Sequence, residues 1–275
     1  KIYVSDNIGF IYSLNIDNGD LYWIKNHGVP LKSNIKVYDQ KIYLINQDNR
    51  IICLSTKDGS KIWDVRSIES FIKSQNFLSL AITKKGDLVL LSSSGDLIKI
   101  NSKNGRVYWS LNATGNLYAH DTDFFKSSNI VIDKNAILFS ALKSIYSYNL
   151  ADGTLNWKSD LDATSNLIID KETIFLVTEN GFLVSLDKTS GEIKYSTNVL
   201  KILKKKKRST KISGFILGSN NIYSVTLNGF LIVSSAKTGK NKNFKKIGDN
   251  ISTSPSISNG ELFILTDKSK IFGLN

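Results

Sequence analysis

The chain has 275 residues, 41% apolar and 22% charged, which is enough apolar material for one large all-β domain and an ordinary balance for a globular protein. No apolar run approaches the roughly 18 residues that a membrane-spanning helix needs, and a single cysteine excludes an internal disulfide framework or a multi-cysteine metal site. The formal charge of +12, from 36 basic and 24 acidic residues, fits nucleic acid, anionic lipid or an acidic protein as partner, or merely a lysine-rich composition with most lysines scattered.

The first predicted element is the strand in "KIYVS", followed by "FIYSLNIDNGDLYW", in which Gly19 stands four residues before Trp23. The second unit predicts four strands, "NIKVYD", "KIYLIN", "RIICLS" and "KIWDV", each short and rich in β-branched or aromatic residues. Its last turn, "TKDG", puts Gly59 four residues before Trp63. The third, fourth, fifth and sixth units repeat the pattern in "DLIKINSKNGRVYW", "SIYSYNLADGTLNW", "FLVSLDKTSGEIKY" and "FLIVSSAKTGKNKNF". The last unit, "TSPSISNGELFILTDKSKIFGLN", predicts three strands, and the first lacks the strand that precedes "KIYVS" in its sisters. The anchoring glycines Gly19, Gly59, Gly105, Gly153, Gly191 and Gly239 lie 40, 46, 48, 38 and 48 residues apart. Short strands at this period predict the blades of an all-β propeller, each of four antiparallel strands, with seven repeats visible.

Glycine beside Asp or Asn closes a tight hairpin, so the aromatic four residues later falls in mid-strand. Trp23, Trp63, Trp109, Trp157 and Tyr195 are therefore expected to be structural, largely buried and wedged against the neighbouring blade; in the sixth unit the aromatic, Phe244, comes one residue late. Leu14, Leu54, Ile100, Tyr148 and Leu186 form an inward column five residues before the glycine. One residue earlier, Ser13, Cys53, Ser147 and Ser185 form a column of small residues, which makes Cys53 a packed side chain and not a nucleophile.

Three segments lie outside this frame. Residues 64–76 place Phe71 and Ile72 beside Lys73, and residues 110–128 carry Asp121 and Asp123 among aromatics. An apolar pair flanked by charges suits the centre of a protein interface, and solvated loops are the alternative. The run "LKILKKKKRSTK" holds Lys204, Lys205, Lys206, Lys207 and Arg208. It lacks interleaved aromatics for stacking bases, leaving an anionic lipid surface, an acidic partner or a solvated loop. His27 and His120 stand at no convincing zinc spacing, and the Asp121–Asp123 pair has no nucleotide-binding loop beside it.

The column "SLDKTSGEIKY" and "SLNIDNGDLYW" resembles the quinoprotein-type, PQQ-like propeller repeat over essentially the whole chain. Within that class, "HDTDFFKSSNIVIDKNAILFSALKSIYSYNLADGTLNW" and "STSPSISNGELFILTDKSKIFGLN" are similar to the BamB family of outer-membrane assembly lipoproteins. The resemblance implies one propeller domain over 1–275 and eight blades in the intact protein, with about one blade, the precursor N-terminus and a lipid anchor before Lys1. It also implies a scaffold with no catalytic, cofactor or metal site, monomeric in itself and on the periplasmic face of the outer membrane. The implied partner is the POTRA region of BamA, with no role for nucleic acid. Asp121 and Asp123 match that family's aspartate pair, while Phe71, Ile72 and Lys73 match its leucine–arginine loop in character alone, since lysine lacks the bidentate fork. The competing functions are a PQQ-dependent dehydrogenase, whose calcium-binding acids and adjacent cysteines do not show here, and an interaction propeller for some other partner.

Overall fold

Short β-branched and aromatic runs, cut by Asn, Asp, Ser and Gly turns, fold into strands throughout the computed structural model, which describes residues 1–66, 78–92, 94–113, 127–161, 166–204 and 209–274. The first sheet holds β1 (Ile2–Ser5), β2 (Phe10–Leu14) and β3 (Leu21–Asn26). The second holds β4 (Lys36–Tyr38), β5 (Lys41–Ile45), β6 (Arg50–Ser55) and β7 (Lys61–Arg66). The third holds β8 (Leu80–Ile82), β9 (Leu88–Leu91), β10 (Asp96–Ile100) and β11 (Val107–Asn112). The fourth holds β12 (Val131–Asp133), β13 (Ala136–Ala141), β14 (Ser144–Asn149) and β15 (Leu155–Asp160). The fifth holds β16 (Ile168–Asp170), β17 (Thr173–Val177), β18 (Phe182–Asp187) and β19 (Ile193–Asn198). The sixth holds β20 (Ile212–Gly218), β21 (Asn221–Thr226), β22 (Phe230–Ser235) and β23 (Asn241–Lys246). The seventh holds β24 (Ser256–Ser258), β25 (Glu261–Leu265) and β26 (Ile271–Leu274). Strand order follows the chain in every sheet, so the positions are lettered A to D; the first sheet supplies B, C and D, and the seventh A, B and C.

The described residues form two compact units, Lys1–Leu142 with Tyr148–Asn156, and Lys143–Ser147 with Trp157–Asn275. In the first, Ile11, Leu31, Ile42, Leu44, Ile52 and Leu54 form one cluster, and Tyr43, Ile51, Cys53, Leu80, Leu90 and Ile98 belong to a second between sheets two and three. In the second unit, Val177, Leu183, Leu203, Phe215, Ile222 and Ile232 pack sheet five on sheet six. Each core lies between consecutive sheets, so the B and C strands of sheets two, three and five are covered on both faces. This is why "LVLL" in β9 and "IICL" in β6 read as unbroken apolar runs instead of alternating ones. In the two terminal sheets, β1, β25 and β26 alternate with exposed residues. D strands have one sheet neighbour and mostly face solvent, as the pattern of β3, β11 and β15 shows.

The C–D pairing slips by one residue at the same place in sheets one, two, three, five and six. Ser13 faces Trp23 and Leu14 faces Leu21, leaving Tyr22 as the extra residue of a β-bulge. Cys53 likewise faces Trp63 and Ser185 faces Tyr195. The small column thus sits directly opposite the aromatic. Lys99 breaks the column opposite Trp109 and reaches out to Asp87 at 3.7 Å.

The bulge delivers each ring to the next hairpin. Trp23 lies over Gly59, Trp63 over Gly105, Trp109 over Gly153, Trp157 over Gly191 and Tyr195 over Gly239. Each tryptophan also donates its indole N–H to a carbonyl of that hairpin: Thr56 at 3.2 Å, Ser102 at 3.2 Å, Ala151 at 3.1 Å and Lys188 at 3.0 Å. The Tyr195 hydroxyl donates to the Ala236 carbonyl. At Gly59 the residue type is required twice over: φ is +71°, and a Cβ would stand 2.6 Å from the Trp23 ring. The rings are half-buried and not largely buried as expected, because the D strand that carries them forms the solvent-facing edge of its sheet.

Candidate functional site

The expected interface residues sit on connections between a D strand and the next A strand. In four sheets the residue opening this connection donates its N–H to the glycine of the B–C turn: His27 to Gly9, Ala113 to Gly95, Val199 to Gly181 and Ile247 to Gly229, at 2.8–2.9 Å. In sheet two, Arg66 pairs with Arg50 at the end of the B–C turn. D–A connections and B–C turns therefore share one end of each sheet, and the glycine hairpins occupy the other. The segments carrying Phe71, Ile72 and Lys73 and carrying Asp121 and Asp123 leave consecutive sheets from this same end. The five residues themselves lie outside the described residues, as does His120.

The roots of both segments are held by polar contacts. The first returns at Leu78, whose N–H meets the Lys32 carbonyl at 2.5 Å. Just before it departs, Asp64 accepts from Arg50 Nη2 at 2.9 Å and Lys61 Nζ at 3.2 Å. Partial burial works against the charged form of Asp64, but the hydrogen bonds from Arg50 and Lys61 outweigh it and hold the carboxyl below its usual range. The Trp63–Asp64 dipeptide is thus a ring seat followed by an ion pair. The second segment departs from Asn112 and Ala113, and returns at Ser127 in a bridge to Ala141. The Ala113 carbonyl accepts from the Tyr148 hydroxyl at 3.0 Å. Asn112 Nδ2 donates to the buried carboxylate of Asp96 at 3.1 Å, whose other oxygen accepts from Ser92 and Ser94.

Sequence reasoning missed Asp96 and the column to which its turn belongs. Asp6, Asn46, Ser92, Thr178, Thr226 and Thr266 each accept from the N–H four residues on, closing the B–C turn that faces the interface end. Aligned on the glycines, the Asx/Ser/Thr repeat was present in the sequence, but four residue types share the position and none is rare.

Cys53 is fully buried, and burial pushes its thiol up to about 11, which fits packing and not nucleophilic chemistry. His27 is half-buried, and its Nε2 has no hydrogen-bond partner. Burial first, then the nearby Lys61 and Lys25, lower its pKa and favour the neutral ring. No group of three or more His, Cys, Asp or Glu suited to a metal occurs among the described residues. Of the basic run, Lys204 is exposed, while Lys205, Lys206, Lys207 and Arg208 lie outside the described residues.

A family model described as outer membrane protein assembly factor BamB matches residues 1–197. An uncharacterized protein of Rickettsia prowazekii (strain Madrid E) is 23% identical, over 99% of this chain and 69% of its own length. The BamB proteins of Moranella endobia (strain PCIT) and Legionella pneumophila (strain Paris) are 19% and 21% identical, over 72% and 66% of this chain. The chain spans only 55% and 46% of those two relatives. Among solved structures, BamB from Moraxella catarrhalis superposes with a TM-score of 0.81 at 12% identity, covering 98% of this chain and 80% of that one. At that identity the likeness shows the fold, an all-β propeller built from consecutive antiparallel blades.

Proposed function

The chain belongs to the outer membrane protein assembly factor BamB family, and from that membership we propose that it is a non-catalytic propeller scaffold of outer-membrane β-barrel assembly. It works on the periplasmic face of the outer membrane as one domain over 1–275 and holds the POTRA region of a BamA-type protein. The observation that carries this reading is the family match through the first four ring seats, joined to the common end from which the 67–77 and 114–126 connections depart. On this proposal Asp121 and Asp123 pair with basic groups of the partner while Phe71 and Ile72, beside Lys73, fill an apolar contact.

Capture of a cognate POTRA fragment by wild type and by the Asp121→Lys/Asp123→Lys variant tests the surface. Capture is expected to fall while the melting curve stays in place, because loop charges change stability by about 0.5 kcal/mol or less. Undiminished capture by the folded variant sinks this surface. Failure of the wild type to capture any POTRA fragment sinks the assembly role itself. Dye-linked alcohol oxidation after adding PQQ and calcium would move the protein to the dehydrogenases.

A further inference from the structure

The positive charge is not spread evenly. Residues 1–200 carry 22 basic and 21 acidic residues, whereas residues 201–275 carry 14 basic and 3 acidic ones, so the last segment holds +11 of the net +12. This segment lies beyond residue 197, where the family match ends.

The structure shows where much of that charge goes. On β7, Lys61 is paired with Asp64; on β15, Lys158 with Asp160; on β19, Lys194 with Asp187. On β11 no residue is charged. A lysine or two on an open edge is enough to discourage pairing with a stray strand. The matching edge strand of sheet six exceeds that. β23 reads "NKNFKK", with Lys237 and Lys240 in the hairpin before it, all five lysines exposed and no acid on the strand. Lys246 meets Asp249 at 2.7 Å. Lys242 donates to Asn221 Oδ1 at 2.6 Å, an uncharged partner, and Lys240 and Lys245 meet no carboxylate among the described residues.

A second observation brings the other basic segment to the same edge. The 3-10 turn Val199–Ile202 packs on β23, with Asn241 Nδ2 donating to the Val199 carbonyl at 3.0 Å. Leu200 and Leu203 are buried in the core of sheets five and six, which turns Lys201 and Lys204 outward. The Val199–Asn241 bond thus brings the turn that carries Lys201, with Lys204 just after it, to the start of β23, between Lys240 of the hairpin and Lys242 of the strand.

We propose that this edge of sheet six docks the protein on a membrane surface of anionic phosphate headgroups. Lysines are compact point charges on flexible stems, without the rigid fork that selects one carboxylate or phosphate. Spread along an open strand edge, they suit a diffuse negative surface better than a single pocketed group. Phe244 is the lone large apolar side chain of the strand and is 39% exposed, too little for the apolar centre of a stable protein interface. The docking is independent of POTRA capture, since it uses a different unit of the chain.

The test is co-sedimentation of the whole chain with phosphatidylcholine vesicles, with or without about one third phosphatidylglycerol. Wild type is expected on the anionic vesicles alone, with binding lost as salt rises and the Debye length shrinks. Lys240→Ser/Lys242→Ser/Lys245→Ser is expected to partition on the order of a hundredfold more weakly, from about 1 kcal/mol per lysine. Lys57→Ser/Lys84→Ser/Lys103→Ser removes the same charge elsewhere and is expected to bind like wild type. Equal losses in the two variants would reduce the effect to net charge and overturn the proposal. So would equal binding to neutral vesicles, or a folded β23 variant that binds vesicles like wild type while losing affinity for polyglutamate.

Discussion

Sheets five and six share a four-stranded frame, a bulged C–D pair and a glycine hairpin, yet their outer strands do different things. β19 places Tyr195 opposite Ser185 and seats its ring on Gly239 of the next hairpin. β23 places Asn243 at the equivalent position, opposite Val233, and shifts its aromatic by one residue, so Phe244 turns to Phe230 of its own sheet at 6.3 Å. One residue of displacement puts a side chain on the opposite face of a strand. The frame depends on the doubly buried B and C strands, which leaves the D strand free either to staple sheets together or to present charge.

The largest expected effect is at the seats. Gly59→Ala forces a Cβ into the Trp23 ring at a positive φ, and should cost about 3–4 kcal/mol from strain and overpacking together. Gly19 has the same kind of turn, φ +78°, with nothing within 4 Å of a Cβ. Gly19→Ala should therefore cost only the conformational share, about 1–2 kcal/mol. Urea unfolding of the two variants separates the terms, and equal losses would mean that the ring seat contributes nothing.

Next comes the ring itself. Trp63→Ala removes a half-buried indole and its bond to Ser102, with an expected loss of about 2–3 kcal/mol, below the usual 3–5 for a fully buried aromatic. Asn243→Ala, at the equivalent place on β23, should stay within about 0.5 kcal/mol. A comparable loss at Asn243 would break the distinction between stapling and presenting strands.

A smaller effect separates the ion pairs. The pKa of Asp64 is depressed in the folded state, so its contribution is present above the unfolded carboxylate range near pH 4 and disappears as pH falls through the folded value. Asp64→Asn should cost about 1 kcal/mol at pH 7 and flatten that part of the acid limb in a melting-temperature profile. An unchanged acid limb would show that the Arg50–Asp64 pair is not coupled to folding. The smallest effect belongs to β23: removing Lys240, Lys242 and Lys245 together should shift the urea midpoint by less than about 0.5 kcal/mol equivalent. A larger loss would make those lysines structural.

The repeat was legible because it uses rare residues in a fixed register. Four tryptophans, each four residues after a glycine, revealed the register, six glycines carried it along the chain, and the column of small residues followed, while its place opposite the rings came from the strand pairing. The candidate interface was legible only as loop composition, and residues 71–73, 121 and 123 remain on segments outside the described residues. What the structure adds there is the common end from which the two segments leave, set by backbone bonds such as Ala113 to Gly95 that carry no side-chain signature.

Composition, period and turn chemistry thus determined the strands, their order within a sheet and the rings that would join one sheet to the next, because these depend on local backbone preference and on a repeat of about 40 residues. Tertiary structure alone decided which glycines must lack a Cβ for want of space, how far the rings are buried, and that Lys201 and Lys204 come to the edge carrying Lys240 and Lys242. These depend on packing between residues far apart in the chain: the open cradle at Gly19 and the filled one at Gly59 read alike in sequence and differ only in what lies above them.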